Sequence, residues 1–247
     1  MAVMKVIKYT DQAFHNPIAI VGFPGIGLVG SILTSFVIRE LKMETIAAVV
    51  SPEFPPYALI HNGKPYPPIR IYGCSREHVT DDCGDLILVT SEITLRPESY
   101  YDVDAVLKRF FEEIGVSTVI AIEGIPQLDN DVKILACGST AAAREMIDSL
   151  GVKRLDDGLV RGLTGVMLYE AFYSGNDVIA ILCPANPTLP DPRSAARILE
   201  PLSKLMPELK IDTKPLYKEA EEMESKMKQQ QEHGHEPAPK DIQQLYR

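Results

Sequence analysis

Three glycines between an apolar segment and a helical segment have the spacing of a nucleotide-binding turn. Gly25, Gly27 and Gly30 satisfy the pattern GxGxxG. In a dinucleotide site such glycines allow a tight turn and let a pyrophosphate approach the N-terminus of the next helix. Glu53 follows the next apolar segment, near the place where an acidic residue would bind a ribose hydroxyl. One hypothesis is therefore a nucleotide- or nucleoside-binding enzyme that uses this glycine-rich turn.

Three features of the same region favour a structural role for the glycines. Phe23 and Pro24 stand between the apolar segment and the first glycine, and Pro24 lacks the backbone N–H that a phosphate would need. Glu53 lies in the proline-rich loop 51–56, and no lysine follows the glycines to grip a phosphate. Glycines also allow a helix to pack closely on a sheet. The sequence therefore favours close packing, and nucleotide binding stays as the alternative.

Carboxylates follow several of the predicted strands at their C-terminal ends, where open α/β sheets bind ligands. Glu53, Glu92 and Glu123 have such positions, and Asn186 has another. Three carboxylates in one crevice would support acid–base chemistry or bind a divalent ion. More often, residues of this kind cap helices or lie in solvated loops. We therefore predict no catalytic residue, no metal site and no cofactor.

Composition and charge are those of an ordinary soluble protein, with 45% hydrophobic and 24% charged residues. The net charge of −9 argues against a nucleic-acid binder, because phosphate contacts need a basic surface. The four cysteines lack CxxC spacing, and the sequence shows neither a signal peptide nor an apolar stretch long enough to span a bilayer. These features predict a cytoplasmic protein without a membrane segment.

The elements that must position these residues alternate between strand and helix. Apolar runs rich in Val, Ile and Leu, separated by helical segments, are typical of βαβ units around a buried, mostly parallel sheet. The fold class we predict is α/β. The predicted strands are 18–22, 46–50, 86–90, 118–122 and 178–182, and the predicted helices are 27–42, 97–114, 139–149, 162–173 and 192–206.

A β-hairpin is predicted to leave this core. Asn62 and Gly63 lie between the apolar runs 57–60 and 69–72, and an Asn-Gly pair in such a place is a strong hairpin signal. The three prolines between Gly63 and the second run predict that this run forms an edge strand or starts late.

A helix with one narrow apolar stripe follows the core from residue 214. The rest of its surface is charged or rich in glutamine, and glutamates occupy its N-terminal half, where the helix dipole favours anions. The stripe consists of Leu216, Ala220, Met223 and Met227.

The chain is thus predicted to have three parts. These are an α/β core at 1–211, a helical stalk at 212–231 and a flexible tail at 232–247. A glycine and two prolines oppose regular structure in the tail. The linker part of the tail, 232–244, would have a root-mean-square reach of about 20 Å as a coil.

The last three residues, Leu245, Tyr246 and Arg247, carry the most specific functional signal. Apolar side chains at the end of a polar tail have nothing nearby in sequence to bury them. Tyrosine offers a large amphipathic surface at low entropic cost, and a free carboxylate on Arg247 would pair with a buried lysine or a backbone nest. We expect the tail to insert into a pocket on a partner protein. The alternative is that it folds back onto the domain.

Two segments carry a resemblance to a known family. The turn 22–30, which reads GFPGIGLVG, and the loop 51–56, which reads SPEFPP, resemble the archaeal proteasome-assembly-chaperone family. That family is similar to the second subunit of the eukaryotic assembly-chaperone heterodimer. The resemblance spans about 18–209. The terminal tripeptide is similar to the hydrophobic–tyrosine–any-residue tail that proteasome activators and chaperones insert into the α-ring.

The resemblance implies a three-layer α/β/α sandwich, similar to nucleoside phosphorylases but without their catalytic residues. It implies a homo-oligomer and a proteasome α-subunit or α-ring as partner. We therefore expect an ATP-independent assembly chaperone rather than an enzyme. In this hypothesis Leu245 fills an apolar part of a pocket between α-subunits, Tyr246 wedges against its wall, and the carboxylate of Arg247 pairs with a pocket lysine.

Overall fold

A computed structural model describes residues 4–61, 63–74, 85–126, 134–206 and 211–232. Within these residues a nine-stranded sheet is covered by helices on both faces, so the predicted α/β sandwich is confirmed. The strands are β1 Lys5–Lys8, β2 Ile18–Gly22, β3 Glu44–Val50, β4 Leu59–His61, β5 Lys64–Tyr66, β6 Ile69–Cys74, β7 Leu86–Ser91, β8 Thr118–Pro126, β9 Leu135–Gly138, β10 Lys153–Arg154 and β11 Asp177–Ala185. The helices are α1 Val29–Glu40, α2 Tyr100–Ile114, α3 Ala141–Leu150, α4 Gly162–Ser174, α5 Pro192–Leu205 and α6 Lys214–Glu232.

The centre of the sheet is parallel and its flanks are largely antiparallel. The strand order is β1-β3-β6-β7-β2-β8-β11-β9-β10. Strands β7, β2, β8 and β11 run parallel, while β6 pairs antiparallel with β7, and β9 pairs antiparallel with β11. The parallel strands are covered on both faces, which explains their nearly continuous Val, Ile and Leu content.

Because side chains alternate along the strands, they contribute to two separate hydrophobic cores, one on each face of the sheet. On β2, Ile20 faces the layer of α1, α3 and α5, whereas its neighbours Ala19 and Val21 face the layer of α2 and α4. Glu123 on β8 follows the same period of two, and it faces the α2/α4 layer beyond Ala121. The fold therefore directs this carboxylate toward the start of α4.

The hairpin is present, but its second strand is not the one predicted. Strands β4 and β5 pair antiparallel in a sheet of their own around Gly63, whose φ of 72° suits glycine; Asn62 lies outside the described residues. The predicted second strand, 69–72, is instead part of β6, which lies between β3 and β7 in the main sheet. Pro67 and Pro68 separate β5 from β6, because proline cannot continue the hydrogen-bonded ladder.

Helix α6 begins at Lys214, as predicted, and its first turns pack on the core. Leu216 and Ala220 are buried and lie against the α5 side of the sandwich, while Met223 is half-buried. Two of the four residues of the predicted stripe thus belong to the core. Each helix among the described residues is too short or too polar to cross a membrane.

Candidate functional site

A crevice opens where the central parallel strands end. The loop after β2 leads toward α1 and β3, whereas β8 leads toward the opposite half of the sheet, so a switch point lies between these two strands. The crevice has a volume of about 630 Å³. The loop 23–28, the end of β8 and the start of α4 form its walls, and among its lining residues are Phe23, Leu95, Tyr100, Glu123, Leu159 and Thr164.

The glycine-rich turn forms one wall, and its glycines lie where backbones approach closely. A Cβ atom on Gly30 would lie 2.7 Å from the carbonyl oxygen of Ile122, and one on Gly27 would lie 2.7 Å from the Cβ of Ala185. Gly27 and Leu28 both have left-handed backbones, with φ of 62° and 50°. The helix was predicted to start at Gly27, but α1 starts at Val29, because the turn before it is left-handed. These approaches explain the glycines by packing against β8 and β11, without a phosphate.

Glu123 is the carboxylate among the residues that line the crevice. Its Oε2 accepts a hydrogen bond from Thr164 Oγ1 at 3.2 Å. Burial raises the pKa of the Glu123 carboxyl to about 7, although the hydrogen bonds from Thr164 and from the Gly124 backbone lower it. Within the described residues, Glu123 has no cationic partner. This carboxylate can therefore accept a further hydrogen bond or pair with a positive charge.

The structure does not bring the other predicted carboxylates to Glu123. Glu92 pairs with Arg70 on β6 at 2.5 Å, and Glu53 is exposed in the loop after β3. Strand β3 is separated from β2 by two other strands, so the hypothesis of three convergent carboxylates is wrong. Asn186 Oδ1 accepts hydrogen bonds from the Thr188 backbone and hydroxyl, which closes a turn. Among the described residues, no group of three acidic, His or Cys side chains is arranged to hold a metal ion.

An exposed aromatic surface that was not predicted from the sequence lies on α2 and α4. Tyr101 and Tyr169 are in edge contact at 6.1 Å between ring centroids, and Phe172 and Tyr173 are in edge contact at 5.6 Å. Phe172 is 64% exposed and Tyr173 is 80% exposed. The spacing of three and four between the aromatic residues of α4 was the available signal, since it places them on one helix face. Exposed apolar clusters of this kind mark interaction surfaces.

A buried carboxylate lies between helices α2 and α4. Asp104 on α2 is 8% exposed, and burial, together with the nearby charge of Glu170 on α4, raises its pKa to about 6 in spite of Lys108. Asp104 does not line the crevice of Glu123. Asp104 is therefore a control for Glu123, because it is a carboxyl with a raised pKa that lies outside the crevice.

The predicted docking residues, Leu245, Tyr246 and Arg247, lie outside the described residues. The last described residue before them is Glu232, at the end of α6. The predicted tail therefore starts from a helix whose first turns are fixed to the core by Leu216 and Ala220.

Comparisons with known proteins agree with one another. The model of the PAC2 family matches residues 19–231. Pyrococcus furiosus PbaA, an archaeal homolog of proteasome-assembly chaperone, is 30% identical with a TM-score of 0.79, and the match covers 91% of this chain and 94% of that chain. PbaB from the same organism, an archaeal proteasome activator, is 25% identical with a TM-score of 0.81, covering 93% and 99%. The Methanocaldococcus jannaschii protein MJ0106 is 30% identical over 92% of this chain and 90% of its own.

Proposed function

This chain belongs to the PAC2 family, and from that premise we propose that it is an ATP-independent proteasome assembly chaperone or proteasome-binding protein. The observation that carries the proposal is the match to PbaA, an archaeal homolog of proteasome-assembly chaperone, over 91% of this chain. PbaB, described as a proteasome activator, has the same fold at 25% identity. The partner we assign is the proteasome α-subunit, free or in the α-ring.

The C-terminal tail is the part of the chain to which we assign docking. Leu245 would fill an apolar part of a pocket between α-subunits, and Tyr246 would wedge against the pocket wall. The carboxylate of Arg247 would pair with a pocket lysine, which requires that the chain end there. The packing of Leu216 and Ala220 on the core supports this assignment, because it gives the tail a fixed starting point. We propose that the chain after α6 is a coil, and the predicted linker 232–244 would then have a reach of about 20 Å.

Self-association would multiply the effect of one weak tail. Several tails on one oligomer raise the effective concentration of the second and later contacts, which increases binding by about a hundredfold or more. We assign the contact between copies to the exposed aromatic surface of Tyr101, Tyr169, Phe172 and Tyr173. Aromatic side chains that are exposed in the monomer are typical of such surfaces.

The proposed function requires no catalytic step, and we assign the protein to the cytoplasm. The free thiols of Cys137 and Cys183 are compatible with a reducing compartment. The alternative, a nucleotide- or nucleoside-binding enzyme, would use the turn with Gly25, Gly27 and Gly30. The close contacts of Gly27 and Gly30 with other parts of the chain weigh against it.

Reconstitution with α-subunits from the same organism tests the proposal. Native mass spectrometry would measure the fraction of α-subunits in rings and the mass of any complex, with and without the full-length protein. We expect a complex that contains both proteins and does not depend on ATP. If neither α-subunits nor assembled rings bind the protein at micromolar concentration, the proposal is wrong.

A further inference from the structure

The crevice around Glu123 has the size and composition of a ligand site, and chaperone function makes no use of it. Its volume of about 630 Å³ lies within the range of about 300–1,000 Å³ that small-molecule sites have. Such sites combine apolar walls with a few polar groups. Here Phe23, Leu95 and Leu163 are among the apolar wall residues, and Glu123 with Thr164 provides the polar groups.

The rim of the crevice extends the apolar surface into solvent. Leu159 is 75% exposed and Leu28 is 39% exposed, and both line the crevice. Leu28 holds this position with a left-handed backbone, φ 50°, which a leucine adopts at an energetic cost. Two exposed leucines at the mouth of a half-apolar crevice favour a ligand that has an apolar body.

The charge inside the crevice specifies the other end of the ligand. Glu123 accepts hydrogen bonds from Thr164 and from the Gly124 backbone, but within the described part of the chain it forms no ion pair. A carboxylate removed from water needs either a proton or a cation. Arg161 also lines the crevice, but it is exposed at the start of α4. A phosphate would lie against Glu123 and against Pro24, which has no N–H to donate.

We propose that this crevice binds an organic cation whose ammonium or guanidinium group pairs with Glu123. Its apolar body lies against Phe23 and Leu95 and reaches the rim at Leu159. Tyr100 and Phe23 supply aromatic groups, which attract cations as well as apolar surface. The site is independent of the proteasome proposal, because the residues that line it belong to the α/β core.

Thermal unfolding of the full-length protein with phenethylamine and phenethylguanidine tests this site. Either cation at about a hundredfold excess over its Kd should raise the Tm by about 5 °C, by mass action on the folded state. The neutral analogue 2-phenylethanol keeps the apolar body but lacks the charge. It should therefore raise the Tm by less than about 1 °C.

Variants separate Glu123 from other acidic residues. Glu123→Gln should weaken cation binding at least tenfold in isothermal titration calorimetry, whereas Asp104→Asn, which removes a buried carboxylate outside the crevice, should leave the Kd within twofold. Leu159→Ser changes only an exposed rim side chain and should weaken binding about threefold without loss of fold. Absence of a Tm shift with both cations overturns the proposal, and so does a Kd for Glu123→Gln less than tenfold weaker than that of the unmodified protein. No α-ring is present in these assays, so their outcome is independent of the proteasome proposal.

Discussion

The carboxylate of Glu123 occupies the space that a Cβ atom on Gly25 would fill. An ideal Cβ at Gly25 would overlap Oε1 of Glu123, while Oε2 of the same carboxylate accepts a hydrogen bond from Thr164. The first glycine of the GxGxxG pattern, because it has no side chain, therefore leaves space for a carboxylate from β8. This relationship links the glycine-rich turn to the only one of the three predicted carboxylates that lines the crevice.

Alanine at two neighbouring glycines should have very different effects on stability. A Cβ on Gly124 would overlap the backbone carbonyl of Ile26, which cannot move without the turn, so Gly124→Ala should cost about 3 kcal/mol or more. A Cβ on Gly25 meets only a side chain, which can swing into the crevice, so Gly25→Ala should cost about 1 kcal/mol. Urea unfolding measures both free energies. Equal costs would contradict this account of the turn.

The raised pKa of Glu123 makes stability depend on pH. In the folded protein the carboxyl keeps its proton up to about pH 7, whereas its ordinary value is 4.5. The unfolded chain therefore binds fewer protons between these values, and the free energy of unfolding falls as pH rises through them. Glu123→Gln removes this dependence. Relative to that variant, the unmodified protein should lose at most about 3 kcal/mol between pH 4.5 and 7.5.

Asp104→Asn provides the control for the pH experiment. Burial raises the pKa of Asp104 to about 6, so this carboxyl also lowers the free energy of unfolding as the pH rises. Its contribution ends at a lower pH than that of Glu123, and Asp104→Asn should remove it. Chemical unfolding at several pH values distinguishes the two profiles. A stability difference between Glu123→Gln and the unmodified protein that stays constant from pH 4 to 8 would show that the carboxyl titrates normally.

Helix α6 should depend on one leucine for its attachment to the core. Leu216 is 1% exposed, so Leu216→Ala should lower the free energy of unfolding by about 2–4 kcal/mol. The nearby Glu219 is exposed, and Glu219→Ala should change the free energy of unfolding by less than about 0.5 kcal/mol. Urea unfolding of both variants measures the difference. Indistinguishable midpoints would mean that α6 does not pack on α5 in solution.

The aromatic surface of α4 should control self-association. A charge at its centre would be costly to bury between copies, so Phe172→Glu should reduce the oligomer to smaller species. Tyr57 is as exposed as Phe172, at 64%, but lies in the loop before β4, and Tyr57→Glu is the matched control. Light scattering after size-exclusion chromatography gives the masses. An oligomer of unchanged mass in Phe172→Glu would exclude this surface as the contact.

The central elements were predictable from the sequence because their signals are local. The runs 18–22, 118–122 and 178–182 are almost continuously apolar, and they lie in the parallel strands β2, β8 and β11. The stripe of Leu216 and Ala220 is likewise local and lies on the buried side of α6, but the sequence left open whether it packs on the core or between protomers.

The errors came from relationships between distant segments. No local signal shows that 69–72 joins β3 and β7 instead of completing the hairpin, because its pairing depends on strands far away in sequence. The same applies to Glu92, which the sequence places at a strand end but the sheet places beside Arg70. The aromatic surface needed both α2 and α4, and helix periodicity alone reveals only the half on α4.

Binding of the full-length protein and the Tyr246→Ala variant to purified α-rings tests the central claim most directly. Surface plasmon resonance on immobilised rings, with Tyr217→Ala on α6 as a control that also removes a tyrosine, gives the affinities. Loss of a buried aromatic anchor typically costs 2 kcal/mol or more, so Tyr246→Ala should weaken binding by about thirtyfold or more, and Tyr217→Ala should not. Undiminished binding by Tyr246→Ala, and by a variant without residues 245–247, would contradict the account.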